Sequence, residues 1–126
     1  MPIVNLHAMA HHNNTGSLGE GMAVKFLIDN GYTILHRNWR HLHWETDIIA
    51  TKNSRLHFIE VKTRRTTTFG HPEDDVSKKK IKNLMGAAEE FLLLYPDWKL
   101  IQFDILSITL EKNKQPQFFL IEDVSL

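Results

Sequence analysis

The sequence predicts an α/β domain in which one mixed central sheet is flanked by helices. Two observations lead there. Apolar residues recur at helical spacing in two stretches, Ala23 to Leu27 and Ile81 to Tyr95. Five further stretches are short, rich in β-branched and aromatic residues, and separated by polar turns. The resulting order, α-β-β-β-α-β-β, suits one sheet with two helices packed on it.

Each element follows in turn. Residues 1–16 are rich in His and Asn and lack periodicity, so they read as a flexible N-terminal arm before a single domain, 17–126. His7, His11 and His12 are possible metal ligands there, although a polar tail fits better. Ser17 is an N-cap candidate with Glu20 at capping-box spacing, and Gly31 is a stop for the first helix. Strands are expected over 32–39, 45–52 and 55–63, joined by turns at 40–43 and 53–54 as an antiparallel meander. A polar loop follows over 64–75. The second helix is capped near Ser77, carries the stripe Ile81, Leu84, Met85, Ala88, Phe91, Leu92 and Tyr95, and ends at Pro96. Strands over 99–110 and 118–124 complete the chain, the last at an edge.

Bulk composition narrows the function. The chain has 126 residues, 42% hydrophobic and 24% charged, as expected of one globular domain. Basic and acidic residues number 15 each, which excludes a protein that coats nucleic acid by bulk charge but leaves room for a local basic patch. There is no cysteine, so there are neither disulfides nor thiolate metal sites, and a reducing, cytoplasmic setting is expected. No apolar run reaches membrane-spanning length, and the first residues lack the pattern of a signal peptide.

The chemistry is concentrated in "WETDII" and "FIEVKTR". Side chains alternate across a strand, so Leu56, Phe58, Glu60 and Lys62 share one face, and Glu45, Asp47 and Ile49 share a face of the preceding strand. Pairing through the 53–54 turn brings Asp47 toward Glu60. A lone E-x-K in a strand reads best as an ion pair at a sheet end. Asp47 next door shifts the balance, because buried charges cost several kcal/mol unless paired or bound to a metal. Two carboxylates suit magnesium, which keeps several waters. A neighbouring lysine assists an attacking water or stabilises a phosphorane-like transition state. Glu20 would add a carboxylate beyond its capping role, and Gly19 and Gly21 would allow a phosphate backbone close approach.

Basic residues gather nearby. Lys62, Arg64, Arg65, Lys78, Lys79, Lys80 and Lys82 lie within residues 62–82, against Glu73, Asp74 and Asp75. Arg64 and Arg65 are placed to hold flanking phosphates. Lys78, Lys79, Lys80 and Lys82 open a helix whose dipole they oppose, which favours phosphate binding, although a solvated face is about as good a reading for Lys78 to Lys80. His36, His41, His43 and His57 do not form a zinc set. Trp39 reads as a core residue, and Asp104 as a polar group bonding a neighbouring backbone or orienting a basic side chain.

Several ordered blocks carry a resemblance: "GxxGExxAxxFLxxxGYxILxRNWR" (Gly16 to Arg40), "ExDIIA" (Glu45 to Ala50), "FIEVKTR" (Phe58 to Arg64), "FGxPxxxVxxxKxxxL" (Phe69 to Leu84) and "FDIL" (Phe103 to Leu106). Together they resemble the YraN-like family of uncharacterised bacterial proteins, similar in turn to the restriction-endonuclease-like PD-(D/E)xK nucleases and archaeal Holliday-junction resolvases. That resemblance implies an αβββαβ core, Glu20, Asp47, Glu60 and Lys62 as the site, magnesium (with manganese as substitute), DNA as substrate and, for the resolvase branch, a homodimer. Trp44 stands where the family usually has glycine, Thr46 where it has an apolar residue, and Gln102 where arginine is common; the superfamily's proline before the aspartate is absent. The leading expectation is a magnesium-dependent endonuclease. A binding module of the same fold that does not cut, and an interaction domain with a relic site, are the competing readings.

Overall fold

The computed structural model describes residues 18–65 and 77–124. The expected N-terminal arm, the Ser17 cap and most of the 64–75 loop lie outside these residues. Helix α1 covers residues 18–29. Strands β1 (Thr33–His41), β2 (Trp44–Lys52) and β3 (Arg55–Arg64) follow, then helix α2 (Lys78–Leu94) and strands β4 (Ile101–Thr109) and β5 (Gln117–Ile121). The expected element order is observed. The strands form one five-stranded sheet in the order β1-β2-β3-β4-β5, so β5 is at an edge as expected. All neighbours are antiparallel except β3 and β4. That parallel pair needs a crossover, and α2 supplies it.

Local chemistry explains the turns. Asn53 and Ser54 both take positive φ, 53° and 64°, the backbone of a two-residue turn whose twist matches the flanking strands. The β1–β2 turn is tighter than expected: Leu42 (φ 57°) and His43 alone connect the strands, and Trp44 already pairs with His41. Gly31 ends α1 at φ 91°, where a Cβ would be strained. Ser77 caps α2, its Oγ accepting the Lys80 N–H at 3.2 Å.

The helices cover opposite faces of the sheet. On one side Ile81, Leu84, Ala88 and Phe91 of α2 pack on Ile49, Leu56, Phe58 and Ile105. On the other, Ala23 and Leu27 of α1 pack with Tyr32 on Ile48, Ala50, Ile59, Leu106 and Ile108. Fully burying each large side chain contributes about 1.5–3 kcal/mol. Among the described residues no helix is long and apolar enough to cross a membrane.

Two details of the expected helix stripe change. Met85 and Tyr95 are exposed, while Gly86 and Ala87 are buried. Trp44 explains Gly86: its ring lies against α2 where Gly86 has no side chain, and a Cβ there would collide with it; Tyr95 is the C-cap, past the last helical residue. Gly19 also has a packing role. It is buried against Thr63 of β3, where a Cβ would strike the hydroxyl, so the space expected for a phosphate backbone is taken at Gly19, while Gly21 is exposed and open.

Candidate active site

Asp47 and Glu60 come together at one end of β2 and β3. The ladder runs from Lys52 opposite Arg55 to Ile48 opposite Ile59, which leaves Asp47 facing Glu60 one position beyond. There the ladder gives way to a side chain: Asp47 Oδ2 accepts the Val61 N–H at 2.8 Å. Both carboxylates lie on the α2 face, in a cleft of about 150 Å³ walled by His43, Trp44 and Leu84 and also lined by Glu45, Thr46, Lys80 and Asn83.

The cleft makes ionisation costly. Burial pushes the Asp47 carboxyl above its ordinary range; Glu20 and Glu45 push the same way, while the Val61 N–H and Lys80 oppose them. Burial likewise raises Glu60, with Asp47 and Glu45 adding to it and Lys80, then Lys62, working against it. Glu60 Oε2 is buried without a hydrogen-bond partner among the described residues, as is Thr46 Oγ1. Such an orphan costs about 1–3 kcal/mol, more if charged, and marks a place where a ligand fits.

The other expected site residues divide. Glu20 is on α1; its Oε2 accepts from Asn38 Nδ2 at 3.0 Å, and its charge acts on Asp47. Asn38 itself lies between Arg37 and Trp39, which pair with Ile48 and Thr46 on either side of Asp47, and takes positive φ, 51°, which asparagine tolerates well. Lys62 is exposed outside the cleft lining, although its charge reaches Glu60. Lys78, Lys79 and Lys82 are exposed on α2, Arg64 is half-buried and Arg65 exposed at the end of β3. Lys80 is the exception among the lysines: it lines the cleft and is the largest favourable charge at Glu60.

Sequence reasoning placed Lys80 among the phosphate-binding lysines and missed Asn38 and Asn83. The signal for α2 was present: Lys80, Asn83 and Leu84 are spaced i, i+3, i+4, one helix face, and Leu84 is a core position. Among the described residues no three His, Asp or Glu side chains gather closely enough to hold a metal ion by themselves. The donors fit a hard divalent cation that keeps waters: two carboxylates on adjacent strands, one with an orphaned buried oxygen.

Fold and site together define an α/β protein with one sheet between two helices and an acidic cleft at one sheet end. The family model "Uncharacterised protein family UPF0102" matches residues 19–108, and the chain belongs to that family. Similar proteins, each described as a UPF0102 protein, include one from Bacteroides thetaiotaomicron at 44% identity, covering 79% of this chain and 83% of the relative. Another, from Phocaeicola vulgatus, is 43% identical over 83% of this chain and 87% of the relative. A third, from Chlorobium phaeobacteroides, is 44% identical over 76% and 77%. The matched region spans Asp47, Glu60, Lys62 and Lys80.

Proposed function

We propose that the protein is a metal-dependent endonuclease that hydrolyses phosphodiester bonds in DNA, branched or junction DNA included. One observation carries this reading: Asp47 and Glu60 share a desolvated cleft with Lys80, and a buried oxygen of Glu60 lacks a partner. Asp47 and Glu60 would hold magnesium or manganese, with Glu20 adding negative charge close by. When bound, the ion supplies Lewis-acid polarisation of a phosphoryl oxygen and lowers the pKa of a water.

The chain's own groups do the rest. Lys80 would supply a cation inside the cleft where negative charge develops on the phosphoryl oxygens, and Lys62 would add its field from outside. Arg64 and Arg65, following β3, and Lys78, Lys79 and Lys82, on the helix that carries Lys80, would grip the neighbouring phosphates. Trp44 and His43 narrow the mouth, their ring centroids 4.4 Å apart, which limits what enters beside the scissile phosphate. A second copy pairing along β5, an edge strand among the described residues, would give the homodimer of the resolvase-like arrangement.

The test is magnesium and manganese titration of wild type, Asp47→Asn and Glu60→Gln, with cleavage assays on single-stranded, duplex and branched DNA. The expected result is metal binding weakened in both variants and cleavage reduced on the order of a hundredfold or more. Variants that cleave as well as wild type would refute the assignment. One observation favours a module that binds without cutting: Glu20 is engaged with Asn38 rather than joined to the Asp47–Glu60 pair. That reading expects salt-sensitive nucleic-acid binding unchanged in Glu60→Gln and no cleavage with either metal.

A further inference from the structure

A second polar centre lies at the other end of β3, on the α1 side. His57, 5% exposed, has Nδ1 2.7 Å from Oδ2 of the fully buried Asp104. Asp104 Oδ1 accepts from Gln102 Nε2 at 2.8 Å and from the Asp123 N–H at 2.9 Å. With Nδ1 turned to the carboxylate, the rest of the His57 ring lines the neighbouring cavity. The need to tie β3, β4 and the end of β5 together accounts for this network. It does not account for what faces it.

Tyr32, Lys52, Arg55, His57, Gln102 and Glu122 line a cavity of about 260 Å³. Its cations are held in place: Arg55 Nη1 donates to Gln102 Oε1 at 3.0 Å, and the Lys52 ammonium rests 4.9 Å from the Tyr32 ring centroid. Among the described residues neither Lys52 nor Arg55 is in an ion pair. Burial, then the charges of Asp104 and Glu122, pushes the Tyr32 hydroxyl up to about 12, so it remains a protonated donor. The lining thus combines two cations and a neutral hydroxyl with one acceptor, the Glu122 carboxylate.

We propose that this cavity binds a small phosphate-class oxyanion that carries a P–OH, with Lys52 and Arg55 as the cationic donors and Glu122 as the acceptor of the ligand's proton. That acceptor gives the site its selectivity. Hydrogen phosphate or a phosphate monoester monoanion offers it a proton; sulfate, fully deprotonated near neutral pH, meets it with lone pairs only. The site stands apart from the Asp47–Glu60 cleft and does not depend on it. Two sources share the chemistry: free phosphate and the terminal phosphate of a nucleic-acid strand.

The test is calorimetric titration of the full chain, without divalent metal, using inorganic phosphate, sulfate at matched ionic strength, and oligonucleotides with a 5′-phosphate or a 5′-hydroxyl. Phosphate is expected to bind saturably, one per chain, and sulfate at least tenfold more weakly. Arg55→Gln, at an exposed position that should fold normally, is expected to weaken phosphate at least tenfold, and Glu122→Gln to narrow the gap between phosphate and sulfate. Absence of saturable phosphate binding, equal binding by Arg55→Gln, or equal binding of sulfate by wild type would each overturn the proposal. Tighter, Arg55-dependent binding of the 5′-phosphorylated strand upholds the site and assigns the strand end as its ligand. Equal binding of both strands, with free phosphate still bound, upholds it with free phosphate as the ligand.

Discussion

The two ends of β3 bury acidic groups on opposite terms. At one end Asp104 is fully buried and receives bonds from His57, Gln102 and the Asp123 backbone. At the other, burial raises the pKa of both Asp47 and Glu60, and Glu60 Oε2 has no partner among the described residues. Around one strand there are therefore a satisfied carboxylate, Asp104 of β4, that holds the fold, and a costly pair in which Asp47 of β2 has the Val61 N–H but Glu60 of β3 keeps an orphaned oxygen. A buried acid tells little by its burial alone; what its oxygens accept separates structure from site.

The largest effect should come from removing the satisfied acid. Asp104→Ala leaves His57, Gln102 and the Asp123 N–H without their acceptor and is expected to cost about 3–5 kcal/mol in urea unfolding. A loss below about 1 kcal/mol would erase the contrast between the two ends. Gly86→Ala comes next: the new methyl strikes the Trp44 ring, with an expected cost of about 1–3 kcal/mol. Adding Trp44→Ala should make the double variant less unstable than the two single losses summed, because the clash is then gone.

The smallest effect has the opposite sign and sharpens the comparison most. Glu60→Gln is expected to stabilise the metal-free protein by roughly 0.5 kcal/mol at neutral pH, a figure discounted for the solvent that reaches this half-buried group. The pH dependence follows the raised pKa values of Asp47 and Glu60. A carboxyl whose folded pKa lies above its unfolded value keeps the folded state more protonated. Its contribution is fully present below the ordinary carboxylate range, near about 4, and is lost as pH rises through the raised value. Metal-free unfolding curves should show that loss in wild type and a smaller one in Asp47→Asn/Glu60→Gln. A double variant with an unchanged pH profile would place the cost elsewhere.

Much of the architecture was legible because its signals are local. Ser77, Asn53–Ser54 and Gly31 act within a few residues, and the alternation of β3 sorted Glu60 from Ile59 without any knowledge of partners. The position of Asp47 beside Glu60 was legible for the same reason, since a two-residue turn sets the register. What stayed hidden depends on distant pairing. His57 meets Asp104 through the parallel β3–β4 register, 47 residues apart in the chain, and no local pattern announces it. Lys80 looked like one lysine in a run of three; only the packing of α2 on the sheet shows that it lines the cleft.

The Val61 amide has a consequence of its own. Its proton is held by a side chain, Asp47 Oδ2 at 2.8 Å, rather than by a neighbouring strand. Whatever happens to that carboxylate is passed to one backbone nitrogen. In a ¹⁵N-labelled sample the Val61 cross-peak would move when Asp47 takes a proton or engages a cation, and its hydrogen-exchange rate would follow the strength of that single bond. The chain thus carries a native reporter of its acidic cleft, readable without a probe, a substrate or a change of sequence.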